Sequence, residues 1–329
     1  MAGKTLASES RRSRNQPEIK RTASEAAGLA ADSLQEECLM EVKIPIQMPA
    51  EGKSILRWLL RTESEWNPKV IIQRAVLPLI PESALIRLKK SYYAYLIAHT
   101  PETWMERDAA VTCKLISPGD TVLDIGANIG IYSRMLARCV GSQGTVYAFE
   151  PIPHTFDFLS NNMRRLGLKN VDCLDFAASD ADRTDTMVIP TYRWGSECWY
   201  DARIKTANAN PSWRTITVKS RTLDSLFFDG PRCSDNISFI KCDANFHELA
   251  VLKGGLRTIR KSKPAMLIEV NPDPDDPATT AFATFELLRN AGYEVFCFNG
   301  KSIVPRDRGE RSQNYFFLTP HHLQMMESV

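Results

Sequence analysis

The chain has 329 residues, of which 43% are hydrophobic and 24% charged. That composition is ordinary for a globular protein and supplies enough apolar side chains for a sizeable core. A formal net charge of +2 is too mild to make nucleic acid the expected partner.

Residues 1–37 are rich in Ser, Ala, Arg and Glu and read as a loosely ordered tail, with Arg11, Arg12, Arg14, Lys20 and Arg21 solvated. No apolar run marks a secretory signal, which points to a cytoplasmic protein. Residues 38–104 read as a helical extension, with Leu85, Leu88, Tyr92, Tyr95 and Leu96 at helical spacing. Lys89 and Lys90 beside Tyr92 and Tyr93 also fit a peripheral membrane contact, but a helix packed on its own domain is the preferred reading. Arg74, Pro78, Pro81, Glu82 and Arg87 interrupt the stretch 70–99, so it does not read as a membrane span. The eight cysteines are scattered with no C-x-x-C pair. They read as reduced thiols, with no metal site.

From Thr121 onward, short apolar runs alternate with helical patterns. Thr121–Ile125, Thr145–Phe149, Val171–Asp175, Ile237–Cys242 and Ala265–Val270 read as strands. Ile131–Val140, Thr155–Leu166 and Glu248–Ile259 read as helices between them. This grammar predicts a mostly parallel sheet with helices on both faces. Glu294–Phe298 and Asn314–Thr319 have only a loop between them and are expected to pair antiparallel. A longer insertion, roughly 180–235, carries Trp194, Trp199, Tyr200 and Trp213.

The sharpest local signal is T-V-L-D-I-G-A-N-I-G-I-Y at 121–132. A strand enters a glycine turn and then a helix, with Gly126 and Gly130 expected to let the backbone approach a ligand. The G-x-x-x-G spacing differs from the dinucleotide pattern G-x-G-x-x-G, and Asp124 is badly placed for a pyrophosphate. An acid there suits the ammonium group of a bound amino acid, directly or through water. S-adenosylmethionine carries that ammonium and no phosphate. Glu150, ending the next strand in V-Y-A-F-E-P, is placed to accept ribose hydroxyls. Asn128 lies within the turn, and the adenine ring is expected near Asp175 to Ala177.

These residues carry a resemblance. P-G-D-T-V-L-D-I-G-A-N-I-G followed by G-T-V-Y-A-F-E-P resembles the FkbM family of S-adenosylmethionine-dependent methyltransferases. L-G-L-K-N-V (166–171), A-A-S-D (177–180), R-T-L-D-S-L (221–226), F-I-K-C-D (239–243), H-E-L-A-V-L-K-G (247–254) and N-Y-F-F-L (314–318) extend it in order. The resemblance covers about 105–320, leaving 321–329 as a tail. It implies a Rossmann-like class I methyltransferase fold: a mostly parallel seven-stranded α/β sheet with helices on both faces, plus the N-terminal helical extension. It also implies methyl transfer to a hydroxyl of a sugar, glycolipid or secondary metabolite, so a small-molecule or glycan acceptor.

One departure stands out. Where the family pattern has glutamate and glycine after the fourth strand, this chain has Asn245 and Phe246. An amide cannot accept a proton as a carboxylate does, and Phe adopts positive φ only at a cost. Asp243 is then the first candidate for a polar role beside the reacting atoms, with a helix cap as its structural alternative. His247 is the second candidate, against an ordinary surface histidine. Three readings follow: an O-methyltransferase, a cofactor-binding protein that has lost transfer, and another nucleotide-binding Rossmann protein. Asp124 with its glycine spacing argues against the last.

Overall fold

A computed structural model describes residues 81–99, 108–191, 197–233 and 235–327. The expected tail at 1–37 and most of the 38–104 extension lie outside these residues. Helix α1 (Glu82–His99) is the described part of the extension. It lies on α4 (Pro153–Arg165). The Tyr93 ring meets Phe158 edge-on at 5.1 Å, and Lys90 pairs with Asp157 at 2.6 Å. Arg134 donates to the Ile97 carbonyl. One of the two lysines of the interface-like stripe is thus engaged with the chain's own domain, while Tyr95 stays exposed and stacks on His99. No helix among the described residues is long and apolar enough to cross a membrane.

The predicted strands form one sheet. β1 (Thr121–Ile125), β2 (Thr145–Phe149) and β3 (Val171–Leu174) run parallel on one side. β8 (Ile237–Cys242) and β9 (Ala265–Glu269) continue parallel on the other side of β1. β12 (Asn314–Leu318) pairs antiparallel with both β9 and β10 (Glu294–Phe298), as the loop between the last two runs predicts. The order is β11-β10-β12-β9-β8-β1-β2-β3. The sheet has eight strands where seven are expected, because the short β11 (Ile303–Pro305) adds to its edge. The order reverses between β1 and β8, so the carboxyl ends of those strands bound a crevice where open α/β sheets bind ligands.

The central strands are apolar throughout because both faces are covered. Leu123, Ile125, Ile240 and Met266 face one core with Leu252 of α6 (Glu248–Gly254), Ile259 of α7 (Leu256–Ser262) and Phe285 of α8 (Thr280–Asn290). The expected helix 248–259 is broken in two at Gly255. On the other face Val122, Phe239 and Leu267 pack with α2 (Ala109–Lys114) and α3 (Ile131–Val140). The closeness of α2 and α3 joins Cys113 to Cys139, with Cα atoms 5.7 Å apart, which corrects the expectation that all the cysteines are reduced. The carboxyl-terminal residues expected as a tail include α9 (Pro320–Glu327).

The insertion forms a second, four-stranded sheet. Its strands are β4 (Ala177–Ala178), β5 (Arg183–Ile189), β6 (Arg203–Ile204) and β7 (Arg214–Arg221), and α5 (Leu223–Phe227) follows. Met187, Ile189, Ala202 and Val218 bury a small core against Ile152, which fixes this sheet beside the loop after β2.

Candidate active site

A cleft opens at the strand reversal. Gly126, Asn128 and Glu150 form one wall, Asp243, Asn245 and His247 a second, and Trp199, Tyr200 and Ala202 a third. Ala177 lines it as well.

The glycine turn is built for close packing within the protein. Gly126 has φ +79°, and a Cβ there would overlap the Asp243 carbonyl oxygen. Gly130 has φ +94°, and a Cβ there would overlap Met163 and Leu159 of α4. The glycines press the β1 turn onto the end of β8 and onto α4, and Gly126 also lines the cleft. Asn128, at φ 51°, completes the turn.

Alternation along β1 turns Asp124 toward α3, where Ser133 Oγ donates to its Oδ2 at 2.6 Å. The residue is fully buried, and its Oδ1 has no hydrogen-bond partner. Burial pushes its carboxyl up, against the pull of Lys241 and Ser133. Asn128 Oδ1 is likewise buried without a partner. Glu150 accepts from the Asn128 N–H at 3.1 Å and the Ile152 N–H at 2.9 Å, one on each oxygen. Burial nevertheless raises its carboxyl to about 7.

Asp175 does not join this group. Its side chain is 61% exposed and lies 3.9 Å from Lys219 on the surface. The strand β3 ends one residue earlier and the chain turns, so Ala177 enters the cleft and Asp175 does not.

On the second wall, Lys241 Nζ donates to Asp243 Oδ2 at 3.0 Å. Burial would raise Asp243, but Lys241 and a hydrogen bond with Glu269 outweigh it and hold the carboxyl low. Asp243 does not cap the following helix. No side chain caps the start of that helix; Glu248 instead reaches back into the loop before it, where its Oε1 accepts from the Ala244 and Phe246 N–H groups at 3.0 and 3.1 Å. Burial raises Glu248 to about 7. His247 is more enclosed than a surface histidine. Its Nε2 lies 2.9 Å from Ser179 Oγ, and burial lowers its basicity. The His154 ring meets the rings of Phe158 and Trp199.

The departure from the family pattern has a structural counterpart. Asn245 and Phe246 both take positive φ, 47° and 71°. Asn245 Nδ2 donates to the carbonyls of Tyr200 at 2.8 Å and Ala202 at 3.2 Å. Phe246 is half exposed, with the Arg203 guanidinium 5.5 Å from its ring and 5.1 Å from that of Trp213. The loop after β8 is thereby fastened to the second sheet. Trp199 and Tyr200 form a wall of the cleft, and Tyr200 hydrogen-bonds with Tyr93 of α1. Trp194 lies outside the described residues. Sequence reasoning missed Glu248 and Glu269, whose positions emerge only from loop geometry and strand register. Among the described residues no cluster of His, Cys, Asp or Glu forms a metal site.

The description "Methyltransferase FkbM domain" matches residues 124–295, more than half of the chain. The chain belongs to the FkbM family of S-adenosylmethionine-dependent methyltransferases. Its fold is the class I methyltransferase fold, and the family's methyl donor is S-adenosylmethionine. Among curated relatives, this chain is 29% identical over 168 residues to hexuronic acid methyltransferase AglP of Haloferax volcanii, covering 48% of this chain and 59% of that protein. A protein-L-isoaspartate O-methyltransferase of Methanococcoides burtonii is 39% identical over 64 residues, 19% of this chain and 32% of that protein. The chain thus spans less than two thirds of the length of these relatives. Among solved structures, an FkbM methyltransferase from Methylobacillus flagellatus KT is similar at TM-score 0.39 and 18% identity, over 60% of this chain and 43% of that one. A SAM-dependent methyltransferase from Aquifex aeolicus is similar at TM-score 0.36 and 18% identity, over 69% and 96%.

Proposed function

We propose that the protein transfers the methyl group of S-adenosylmethionine to a hydroxyl of a sugar, glycolipid or secondary metabolite, with an acidic sugar the first acceptor to try. The observation that carries this reading is the cleft at the strand reversal, with Glu150 on one wall and Asp243 on the other. The residues present fit the donor. Asp124 and Asn128 each keep a buried oxygen without a partner, and Glu150 has its shape fixed by two backbone N–H groups while its remaining lone pairs are free for ribose hydroxyls. Asp124, Glu150, Asp243, Glu248 and Glu269 make the surroundings acid-rich, which suits a ligand bearing an ammonium and a sulfonium. When bound, the sulfonium supplies an electrophilic methyl group. The chain's part is to orient the acceptor, exclude water with Trp199 and Tyr200, and take up a proton. Positioning of this kind supplies on the order of 7–11 kcal/mol. The similarity to a hexuronic acid methyltransferase supports a sugar acceptor.

Calorimetry with S-adenosylmethionine, S-adenosylhomocysteine and NAD tests the donor; equal or tighter NAD binding would sink it. Incubation with labelled donor and a panel of glycosides, uronides, glycolipids and small metabolites tests transfer. The second reading, a binding protein without transfer, is favoured by Asn245, whose amide is engaged with two carbonyls where the family has an acid. Donor binding with no labelled product across the panel would establish it in place of the first.

A further inference from the structure

Five polar residues share one face of the sheet along the edge where its parallel strands end. Val122, Phe239, Leu267 and Phe316 pack together on the α3 face. Two-residue alternation therefore puts Asp124, Lys241, Asp243, Glu269 and Asn314 on that same face. Register makes them neighbours. Asp124 is opposite Lys241 across β1 and β8, and Asn314 is opposite Glu269 across β12 and β9. Cys242 is opposite Ile268 on parallel strands, so Asp243 stands beside Glu269, and the two carboxyl groups hydrogen-bond. Lys241 donates to Asp243 at 3.0 Å, while Asn271 Nδ2 and Gln313 Nε2 lie 3.1 and 3.2 Å from Glu269 Oε1. Asp243 is 30% exposed at its side chain and lines the cleft; Glu269 lies behind it. Two carboxyl groups in contact resist double ionisation, so they hold one proton between them.

We propose that Asp243 and Glu269 act as one proton-accepting unit for the acceptor hydroxyl, Asp243 as the catalytic residue at the cleft and Glu269 as the positioning residue behind it. The proposal rests on the hydroxyl-methylation reading above. As the acceptor's O–H bond breaks, its electron pair stays on oxygen and forms the new C–O bond. The C–S electron pair leaves with sulfur, which becomes a neutral thioether. The proton passes to an Asp243 oxygen and is lost to water from the pair after transfer. Lys241 is the cation facing the pair; Asp124 from β1, Glu150 after β2 and Glu248 of α6 add negative charge when ionised, and Asn271, Gln313 and Asn314 are neutral. Burial and the charge of Asp243 raise Glu269 to about 8, a value that belongs to the pair. The unit is a strong base once its shared proton has left, so turnover rises with pH through about 8. Without Glu269, Asp243 beside Lys241 has no second carboxyl group to resist its ionisation, and the unit loses its strongly basic form.

Two measurements on the full chain test this. The first needs no acceptor: infrared titration of the protonated-carboxyl stretch between about pH 6 and about pH 10. A band titrating near 8 should vanish in Glu269→Gln and move down by at least about one pH unit in Asp243→Asn, with S-adenosylhomocysteine still bound. A midpoint unmoved by Asp243→Asn overturns the pairing, whatever the protein transfers. The second is kinetic, with an acceptor glycoside from the panel. Glu269→Gln should lower kcat roughly tenfold or more near pH 8 and flatten its rise, and Glu269→Asp should restore the rise. A Glu269→Gln enzyme with the wild-type pH profile overturns the proton-accepting role. An intact carboxyl band with no transfer to any acceptor by wild type overturns the hydroxyl-methylation reading and the base role with it.

Discussion

Glu150 illustrates how one side chain can serve the loop and the ligand together. Its oxygens fix the backbone of Asn128 and Ile152, and that same fixation aims the carboxylate at the cleft. Burial leaves it half protonated at about pH 7. A ligand that brings hydroxyl donors and positive charge favours the ionised form. Donor affinity should therefore rise from about pH 6 to about pH 8, with proton release on binding at neutral pH. Calorimetry in buffers of different ionisation enthalpy would detect it, and an unchanged Kd over that range would contradict it. Glu150→Ala should weaken binding by roughly 1.5–3 kcal/mol with the fold retained, since it removes a charged acceptor at a buried site. A folded Glu150→Ala variant with the wild-type Kd would refute the ribose role. This residue and Asp124 are legible in the sequence because each ends or nearly ends a strand beside a glycine turn. Asp175 looks equivalent in sequence but is not, because the chain turns one residue before it and leaves it facing Lys219 in solvent.

At the scale of elements, the loop from Asp243 to His247 ties the two sheets together. Two successive non-glycine residues at positive φ cost roughly 1–2 kcal/mol each. The loop offsets this with the Glu248 carboxylate on two of its N–H groups and the Asn245 amide on two carbonyls of the insertion. A carboxylate at 245 would face those carbonyls with no proton to donate. Asn245→Asp should therefore release the Trp199–Ala202 segment and lower stability by about 0.5–1.5 kcal/mol, the net worth of a partly exposed intramolecular hydrogen bond. Hydrogen exchange at residues 199–204 would rise with it; unchanged exchange there would show that the amide holds nothing. The main sheet is readable in advance because its strands are continuous apolar runs and its helices have helical periodicity. The second sheet is not, because β4 and β6 are two residues long and β7 alternates polar and apolar residues outside any βαβ frame. Glu248 and Glu269 escape sequence reasoning for a related reason. A glutamate in a first helical turn, or at the end of a strand, looks like a surface acid until loop geometry and register bring its partner to it.

Across the whole molecule, the acids around the cleft set a pH dependence opposite to that of an ordinary surface carboxylate. Burial raises Glu150 and Glu248 to about 7 and Glu269 to about 8. The folded state thus binds more protons than the unfolded state above about pH 4.5. Their stabilising contribution is complete below that value and is lost as pH rises through 7 to 8. Two histidines, His322 buried and His247 partly so, oppose this at lower pH. His322 is lowered to about 4 and His247 is also lowered, so their contribution is lost as pH falls below about 6.5. Between about pH 6.5 and about pH 8.5 the acids act without that opposition, and the Tm of the ligand-free protein should fall. A cationic donor bound beside ionised Glu150 reverses part of the loss. The Tm gain on adding S-adenosylmethionine should accordingly grow with pH over the same interval. Thermal unfolding followed at several pH values, with and without donor, separates the two effects. A ligand-free Tm that is flat or rising there would mean that the cleft acids are ionised in the folded protein, and that the cleft is held open to water rather than closed by the second sheet.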